Sequence, residues 1–181
     1  MNTANKITIL RILLIPVFML VLMLQFKYSD LAASLIFAVA AATDGVDGYV
    51  ARKYNQVTDF GKFIDPLADK LLVATALICL VDMGRIASYM AVIIIAREFI
   101  VTSLRIVAIS KGVVIAAEMT GKIKTVIQII ATVCALLFYE EKFMILNWSA
   151  GYIAMFIATL FTIYSGFVYL KKNWQLISES K

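Results

Sequence analysis

Residues 44–69 read DGVDGYVARKYNQVTDFGKFIDPLAD and set ionisable side chains between two long apolar stretches of the chain. Four of the five aspartates in this stretch form two closely spaced pairs, Asp44 with Asp47 and Asp65 with Asp69. Ionisable groups in apolar helices are costly unless they face a protein interior or a water-filled cavity, and they mark functional sites. The stretch therefore predicts a polar site enclosed by apolar helices.

The spacing of the four aspartates predicts that they converge. Asp44 and Asp47 are three residues apart and Asp65 and Asp69 are four apart, so each pair projects from one face of a helix. A turn near residue 56 would fold the two helices into an antiparallel hairpin, with Asp69 opposite Asp44 and Asp65 opposite Asp47. Four adjacent carboxylates repel one another unless cations neutralise them. Oxygen donors in a chain without histidine favour Mg²⁺, Mn²⁺ or Ca²⁺, so the hairpin predicts a divalent metal site.

The composition is that of an integral membrane protein. The 181 residues are 62% hydrophobic, and the mean hydropathy is +0.91. After a short amphipathic N-terminal segment and a first apolar span, further spans are predicted at about 31–53, 59–82, 86–109, 120–139 and 146–170. Each is long enough to cross a bilayer, which takes about 20 residues. We expect an all-α integral membrane fold, with six transmembrane helices in one bundle and a single domain, 1–181.

The basic residues predict the orientation of this bundle. Lysine and arginine are enriched on the cytoplasmic side of membrane proteins. One set of flanks collects most of the basic residues outside the spans, whereas the opposite flanks carry only Lys27, Arg85 and Lys142. We therefore expect a multi-pass cell-membrane protein with both termini in the cytoplasm and the aspartate site open to that side. The net charge of +5 follows from this bias, so a nucleic-acid partner is not expected.

Aromatic residues flank the last predicted span, at Trp148, Tyr152, Tyr169 and Trp174. Tryptophan and tyrosine collect at both water interfaces of a membrane, where the ring is in an apolar environment and its polar atom is hydrated. This placement predicts that the four residues form the interfacial belt of the last helix.

The opening stretch also resembles the signature of the CDP-alcohol phosphotransferases. It reads D-x2-D-G-x2-A-R-x8-G-x3-D-x3-D from Asp44 to Asp69, and every position of that signature is matched. The resemblance implies a membrane enzyme that moves a phosphatidyl group from CDP-diacylglycerol to an acceptor alcohol and releases CMP. It also implies Mg²⁺ or Mn²⁺ as cofactor, with two ions expected, and a homodimer among membrane lipids.

The resemblance assigns roles to the residues of the signature. All four aspartates would bind the metal ions, and Asp69 would also take the proton of the acceptor hydroxyl as the catalytic base. The CDP-lipid would be held by residues at and beside the carboxylates: Asp44, Gly48, Ala51, Arg52 and Gly61. Gly48 and Ala51 lie on the same helical face as Asp44, so this face leaves room for a close approach of the nucleotide.

A second set of polar residues precedes the first apolar span. Asn5, Thr8 and Arg11 are spaced by three residues and therefore lie close to one helical face. They form either an interfacial anchor or a clamp at the mouth of the site. The pattern N-x2-T-x2-R resembles the N-terminal motif of the phosphatidylglycerophosphate synthase branch of the family, which implies that Asn5 and Thr8 bind the CDP-lipid.

Charged residues also stand within the fourth and fifth predicted spans. Glu98 and Arg105, seven residues apart, could form an ion pair, or an unpaired arginine could hold a phosphate through two oxygens. Two nearby lysines could simply flank the membrane on its cytoplasmic side. The patterns R-E-x6-R and G-K-x-K-T-x2-Q resemble the same synthase branch. That resemblance implies that the phosphate of sn-glycerol 3-phosphate is held by Arg97, Arg105, Lys122 and Lys124.

Other functions fit parts of the pattern. Phosphatidylglycerol, serine or inositol phosphate could be the acceptor in an enzyme of the same family. A divalent-cation transporter would also need carboxylates inside a helical bundle. An ion path, however, requires polar groups beyond the carboxylates, and the deep ends of the second and third spans, residues 31–42 and 71–80, are almost wholly apolar. A closed cavity therefore favours an enzyme.

Overall fold

The chain folds as a bundle of long helices joined by short connections. The computed structural model describes residues 3–53, 59–113, 115, 118–139, 144–145 and 148–174, and side chains at 7–43, 61, 64–113, 115, 118–139 and 148–174. Within these ranges the helices are α1 Thr3–Met23, α2 Ser29–Lys53, α3 Asp59–Asp82, α4 Ser88–Ser110, α5 Met119–Leu137 and α6 Ala150–Lys172. An antiparallel pair of two-residue strands, β1 Met144–Ile145 and β2 Trp148–Ser149, precedes α6.

The predicted all-α fold is confirmed, and the helices lie close to the predicted spans. The third span, predicted at 59–82, coincides with α3. The last helix begins at Ala150 rather than near residue 146, because the two short strands occupy the preceding residues. Ser149 then caps this helix, since its Oγ accepts a hydrogen bond of 3.1 Å from the Tyr152 N–H.

Two of the described helices, α5 and α6, are long and apolar enough to cross a membrane. The apolar parts of α1 and α2 are shorter, at Ile7–Met23 and Ser29–Thr43. Helix α4 carries Arg97, Glu98 and Arg105 within its length, and α3 carries Asp65 and Asp69. These charged groups interrupt the apolar surface that an ordinary membrane span would have, and they belong to the candidate site.

Helix α6 has its apolar side chains outside and its hydroxyl groups inside. Large apolar residues are exposed along one side: Phe156, Ile157, Leu160, Ile163 and Phe167. On the other side Thr159, Thr162 and Ser165 are buried, and the two threonines donate hydrogen bonds to main-chain carbonyls one turn earlier. A water-soluble helix has the reverse pattern. An apolar outer surface over a hydroxyl-lined interior is typical of helices packed within a bilayer.

The bundle contains an apolar core to which all six helices contribute. Phe18 of α1 packs against Phe37 of α2, with ring centroids 5.9 Å apart. Ile94 of α4 and Met155 of α6 are buried in the same core. On α3 this core begins at Leu72, just beyond Asp69. The apolar core and the polar site therefore occupy opposite halves of the bundle.

An ion pair closes the apolar end of the bundle. Arg85, in the turn between α3 and α4, has its Nη2 atom 2.8 Å from Oδ1 of Asp30, at the start of α2. It also donates a hydrogen bond of 3.0 Å to the Leu136 carbonyl and lies over the Tyr139 ring, 3.7 Å from the centroid. Since Arg85 is buried, these contacts tie the start of α2 to the ends of α3 and α5.

Gly151 lets α6 approach α5 closely, and filling this position should destabilise the bundle. A Cβ atom there would lie 2.6 Å from Ala135 Cα, a main-chain atom that cannot move aside alone. We expect Gly151→Ala to lower the free energy of unfolding by about 2 kcal/mol through overpacking, as measured by equilibrium unfolding in mixed detergent micelles.

Gly121→Ala is the matched control for this change. A Cβ atom at Gly121 meets nothing within 4 Å, and alanine is the better helix former, so we expect a gain of about 0.5 kcal/mol. An equal loss of unfolding free energy in both variants, or no loss in Gly151→Ala, would contradict the close packing of α5 and α6.

Candidate active site

Two residues of the N-terminal polar motif, Thr8 and Arg11, are buried against α3 and α2. Thr8 is 1% exposed, and its Oγ1 donates a hydrogen bond of 2.7 Å to Oδ1 of Asp65 in α3. Arg11 is also buried and donates from Nε to Oγ1 of Thr43 in α2, at 3.3 Å. Buried contacts of this kind favour a clamp over an interfacial anchor for Thr8 and Arg11. The side chain of Asn5 lies outside the described residues.

The four predicted metal ligands fall on two helices, α2 and α3. Asp65 and Asp69 lie one turn apart on α3 and are partly buried, and Gly61 is buried one turn before Asp65. Five predicted site residues belong to α2, but their side chains are outside the described part of the structure: Asp44, Asp47, Gly48, Ala51 and Arg52. The convergence of all four carboxylates therefore stays a prediction.

The described half of this donor set suits a hard divalent cation. Asp65 and Asp69 offer carboxylate oxygens, and the Thr8 hydroxyl binds one oxygen of Asp65. A hydrogen bond of this kind orients a ligating carboxylate toward its metal. Oxygen donors without nitrogen or sulfur fit Mg²⁺ or Mn²⁺. Among the described side chains, no three His, Cys, Asp or Glu residues are grouped as metal ligands, so such a site also needs the aspartates of α2.

A polar cavity lies beside Asp69, between α3, α4, α5 and α6. Its volume is about 240 Å³. The four predicted acceptor-binding residues share its wall with Asp69: Arg97, Arg105, Lys122 and Lys124. Five basic and three acidic residues of the described chain line this cavity, which gives it a net formal charge of +2. Such a charge suits a small dianion such as a phosphate monoester.

Glu98 holds two of these basic residues in place. Nζ of Lys124 lies 2.5 Å from Oε1 of Glu98, and Nη1 of Arg97 donates to the same oxygen at 3.0 Å. Arg97 also donates from Nη2 to Oγ of Ser165 in α6, at 2.9 Å. Lys124 is 3% exposed, so Glu98 supplies the negative charge that allows a charged lysine to be buried there.

Glu98 and Arg105 do not form the ion pair that their spacing allows; Glu98 pairs with Arg97 and Lys124 instead. Seven residues along a helix span roughly 10 Å, whereas Lys124 reaches Glu98 directly across the interface of α4 and α5. Arg105 and Lys122 are both exposed, and neither forms an ion pair with a side chain that the structure describes. These two residues leave their charges available to a ligand in the cavity.

A second cavity, of about 150 Å³, continues from the first. The two cavities share five residues: Asp69, Lys70, Glu98, Lys124 and Thr125. The rest of the second wall is largely apolar and includes Leu67 and Phe99, which are exposed on the outer surface of the bundle. The shared charged residues thus stand between a polar cavity and an apolar one that reaches the surface.

Sequence reasoning missed two residues of α6 that belong to this site. Ser165 binds Arg97, and Tyr169, assigned to the interfacial belt, is instead 3% exposed and lines the polar cavity. The belt assignment was wrong for Tyr169 because a position near the end of a span does not show which side of the helix faces inward. Thr162, Ser165 and Tyr169 share one helical face, and this spacing of polar groups in an apolar span could have indicated both residues.

Comparison with known proteins finds relatives along nearly the whole chain. The sequence model of the family described as CDP-alcohol phosphatidyltransferase matches residues 1–164. A CDP-diacylglycerol–glycerol-3-phosphate 3-phosphatidyltransferase of Bacillus subtilis is 46% identical over 191 aligned positions, covering 99% of this chain and 98% of its own. A protein of the same name from Yersinia enterocolitica is 36% identical, and the alignment covers 99% of this chain and 98% of that protein. Another from Rickettsia felis is also 36% identical, and the alignment covers 94% of each chain.

Removing the Glu98 carboxylate should destabilise the bundle, because Lys124 would stay buried without a counter-charge. We expect Glu98→Gln to lower the free energy of unfolding by about 3 kcal/mol, measured by equilibrium unfolding in mixed micelles. Replacing both partners, Glu98→Gln with Lys124→Met, should recover most of that loss.

Glu118→Gln is the matched control for the loss of a carboxylate. Glu118 pairs with Lys172, which is 71% exposed, so this change should cost less than about 1 kcal/mol. Equal losses at Glu98 and Glu118, or no recovery in the double variant, would contradict the role of Glu98.

Proposed function

We propose that this chain, which belongs to the CDP-alcohol phosphatidyltransferase family, transfers the phosphatidyl group of CDP-diacylglycerol to sn-glycerol 3-phosphate. The products are phosphatidylglycerophosphate and CMP. The observation that carries the proposal is the single cavity shared by Asp69 and four basic residues, Arg97, Arg105, Lys122 and Lys124. Relatives that are named for this reaction, and that match nearly the full chain, support it.

The charge of the cavity supports glycerol 3-phosphate as the acceptor. A phosphate monoester carries about −1.5 to −2 charges at neutral pH, which complements the net charge of +2 on the cavity wall. The guanidinium of Arg105 can bind two phosphate oxygens at once, and Lys122 adds a compact charge. Serine lacks a phosphate, and phosphatidylglycerol offers only a singly charged diester. Inositol phosphate shares the phosphate group, so only a direct assay separates it from glycerol 3-phosphate.

The proposed reaction joins the acceptor oxygen to the phosphatidyl phosphorus. Asp69 takes the proton of the acceptor hydroxyl, and that oxygen forms the new bond to phosphorus. The bond from this phosphorus to the oxygen bridging to CMP breaks, and CMP leaves with the electron pair. The four basic residues hold the acceptor phosphate, so its hydroxyl stays oriented for attack. Glu98 is a positioning residue that acts through Lys124 and Arg97.

A divalent metal and the CDP-lipid complete the proposed site. Two Mg²⁺ or Mn²⁺ ions would be held by Asp44, Asp47, Asp65 and Asp69, with Thr8 orienting Asp65 through its hydrogen bond. When bound, the metal supplies charge neutralisation at the diphosphate. The CDP-lipid would contact two residues of the clamp and five of the signature: Asn5, Thr8, Asp44, Gly48, Ala51, Arg52 and Gly61.

In this proposal all six helices cross the membrane as one domain, residues 1–181, and the protein is a homodimer. Both termini and the polar cavity are cytoplasmic. Two features support lipid-facing helices. Apolar residues of α1 such as Leu13 and Leu20 are exposed, and α6 has its apolar side chains outside and its hydroxyl groups inside. Lys111, just after α4, and Lys171 and Lys172, in the last turn of α6, lie at the helix ends nearest the cavity and support this orientation. The second, apolar cavity would admit the acyl chains laterally from the membrane.

A cation transporter is the weaker alternative. An ion leaving the aspartates would have to pass the apolar core, where Leu72, Leu77 and Leu80 of α3 are buried. Beyond that core, the Arg85 side chain would place a positive charge in its path. A cavity closed at this end supports an enzyme.

Release of CMP by the purified protein in detergent tests the proposed function. Each reaction contains CDP-diacylglycerol, Mg²⁺ or Mn²⁺ and one acceptor: glycerol 3-phosphate, phosphatidylglycerol, serine or inositol phosphate. We expect release with glycerol 3-phosphate, loss of release with EDTA, and a fall of about a thousandfold in Asp69→Asn because the base is lost. Asp82→Asn is the matched control, since Asp82 is exposed at the far end of the same helix.

The other outcomes discriminate among the alternatives. Release with a different acceptor would keep the family reaction and overturn the choice of glycerol 3-phosphate. Full activity of Asp69→Asn would overturn the role of Asp69 as base. No release with any acceptor, together with divalent-cation flux into liposomes, would replace the enzyme by a transporter.

A further inference from the structure

Tyr169 has a buried hydroxyl group without a hydrogen-bond partner among the residues that the structure describes. The residue is 3% exposed and lies near the C-terminal end of α6. A buried hydroxyl that never finds a partner is destabilising, so groups of this kind in a folded protein need an explanation. Phenylalanine could provide the same ring without that penalty.

The surroundings of Tyr169 connect its hydroxyl group with the polar cavity. Its ring packs against Val101 and Leu104 of α4. The residue also lines the cavity with Arg105 and Lys122, two basic residues whose charges are not used in an ion pair within the described structure. Because Leu104 and Arg105 are consecutive, Tyr169 lies at the same height along α4 as this arginine.

A second buried donor lies on the same wall. Nε of Arg97 is buried and has no hydrogen-bond partner within the described ranges, although its Nη atoms bind Glu98 and Ser165. Ser165 lies one turn before Tyr169 on α6. Two donors without acceptors, one from α4 and one from α6, therefore belong to residues that line one positively charged cavity. An anion with several oxygens could accept from both.

We propose that Tyr169 is an acceptor-binding residue that donates its O–H group to a phosphate oxygen of sn-glycerol 3-phosphate. This inference rests on the proposed function of the cavity. Arg105 and Lys122 supply charge, whereas the neutral phenol adds a directed hydrogen bond without increasing the repulsion among the basic residues. A phosphate group has enough oxygens to accept from all three. The acceptor hydroxyl, at the other end of the molecule, is then free to approach Asp69.

Tyr169→Phe tests this proposal because it removes the donor and keeps the ring packed on α4. Loss of a hydrogen bond to a charged group should raise the KM for glycerol 3-phosphate roughly tenfold or more. The KM for CDP-diacylglycerol, and kcat at saturating acceptor, should change by less than about twofold. The melting temperature should stay the same or rise. Tyr164→Phe is the matched control, since Tyr164 is 58% exposed on the same helix and its loss should leave all three constants unchanged.

An unchanged KM for glycerol 3-phosphate in Tyr169→Phe, or an equal rise for both substrates, would overturn the proposal. Calorimetric binding of inorganic phosphate, without CDP-diacylglycerol, separates this result from a failure of the proposed function. If the wild-type protein binds phosphate but releases no CMP, weaker binding by Tyr169→Phe would keep Tyr169 as an anion ligand and reject only the reaction. Equal binding by the two proteins, or no binding by the wild type, would reject the assignment of Tyr169.

Discussion

The negative charge of Glu98 is the feature on which the candidate site depends. A lysine buried without a counter-charge is strongly destabilising, so Lys124 can lie inside this bundle because Glu98 meets it across the interface of α4 and α5. The same carboxylate binds Arg97, and Ser165 binds the other side of that guanidinium. The cavity can therefore be positively charged overall while its most buried lysine remains neutralised. Arg105, which is exposed, is left for a ligand.

Close packing of α6 makes this arrangement possible. Gly166 leaves space where Arg97 lies against α6, since a Cβ atom there would be 3.1 Å from Arg97 Cγ. Gln128 donates a hydrogen bond of 2.9 Å to Oγ1 of Thr162 and so joins α5 to α6. In the other half of the bundle, Gly151 brings the same two helices together over an apolar core. Stability and chemistry are thus separated along the helix axes, with the polar half held in place by the packing of the apolar half.

The helices could be predicted because the length of an apolar span fixes where a helix can run, and α3 spans 59–82 as expected. Contacts between helices could not be predicted in the same way. Spacing along α4 relates Glu98 to Arg105, but the lysine that binds Glu98 comes from α5. Tyr169 shows the same limit, because a tyrosine near the end of a span can face either the interface or the interior. The polar face that Tyr169 shares with Thr162 and Ser165 indicates the interior, but only the structure shows that the residue packs against Val101 of α4.

In the proposed enzyme one cavity holds the acceptor between its basic wall and Asp69. An experimental structure of the protein with glycerol 3-phosphate and Mn²⁺ bound, with the metal located by anomalous scattering, tests this most directly. We expect the phosphate within hydrogen-bonding distance of Arg105 and Lys122, and Mn²⁺ at Asp65 and Asp69. A phosphate bound outside this cavity, or Mn²⁺ bound away from the aspartates of α3, would contradict the proposed site.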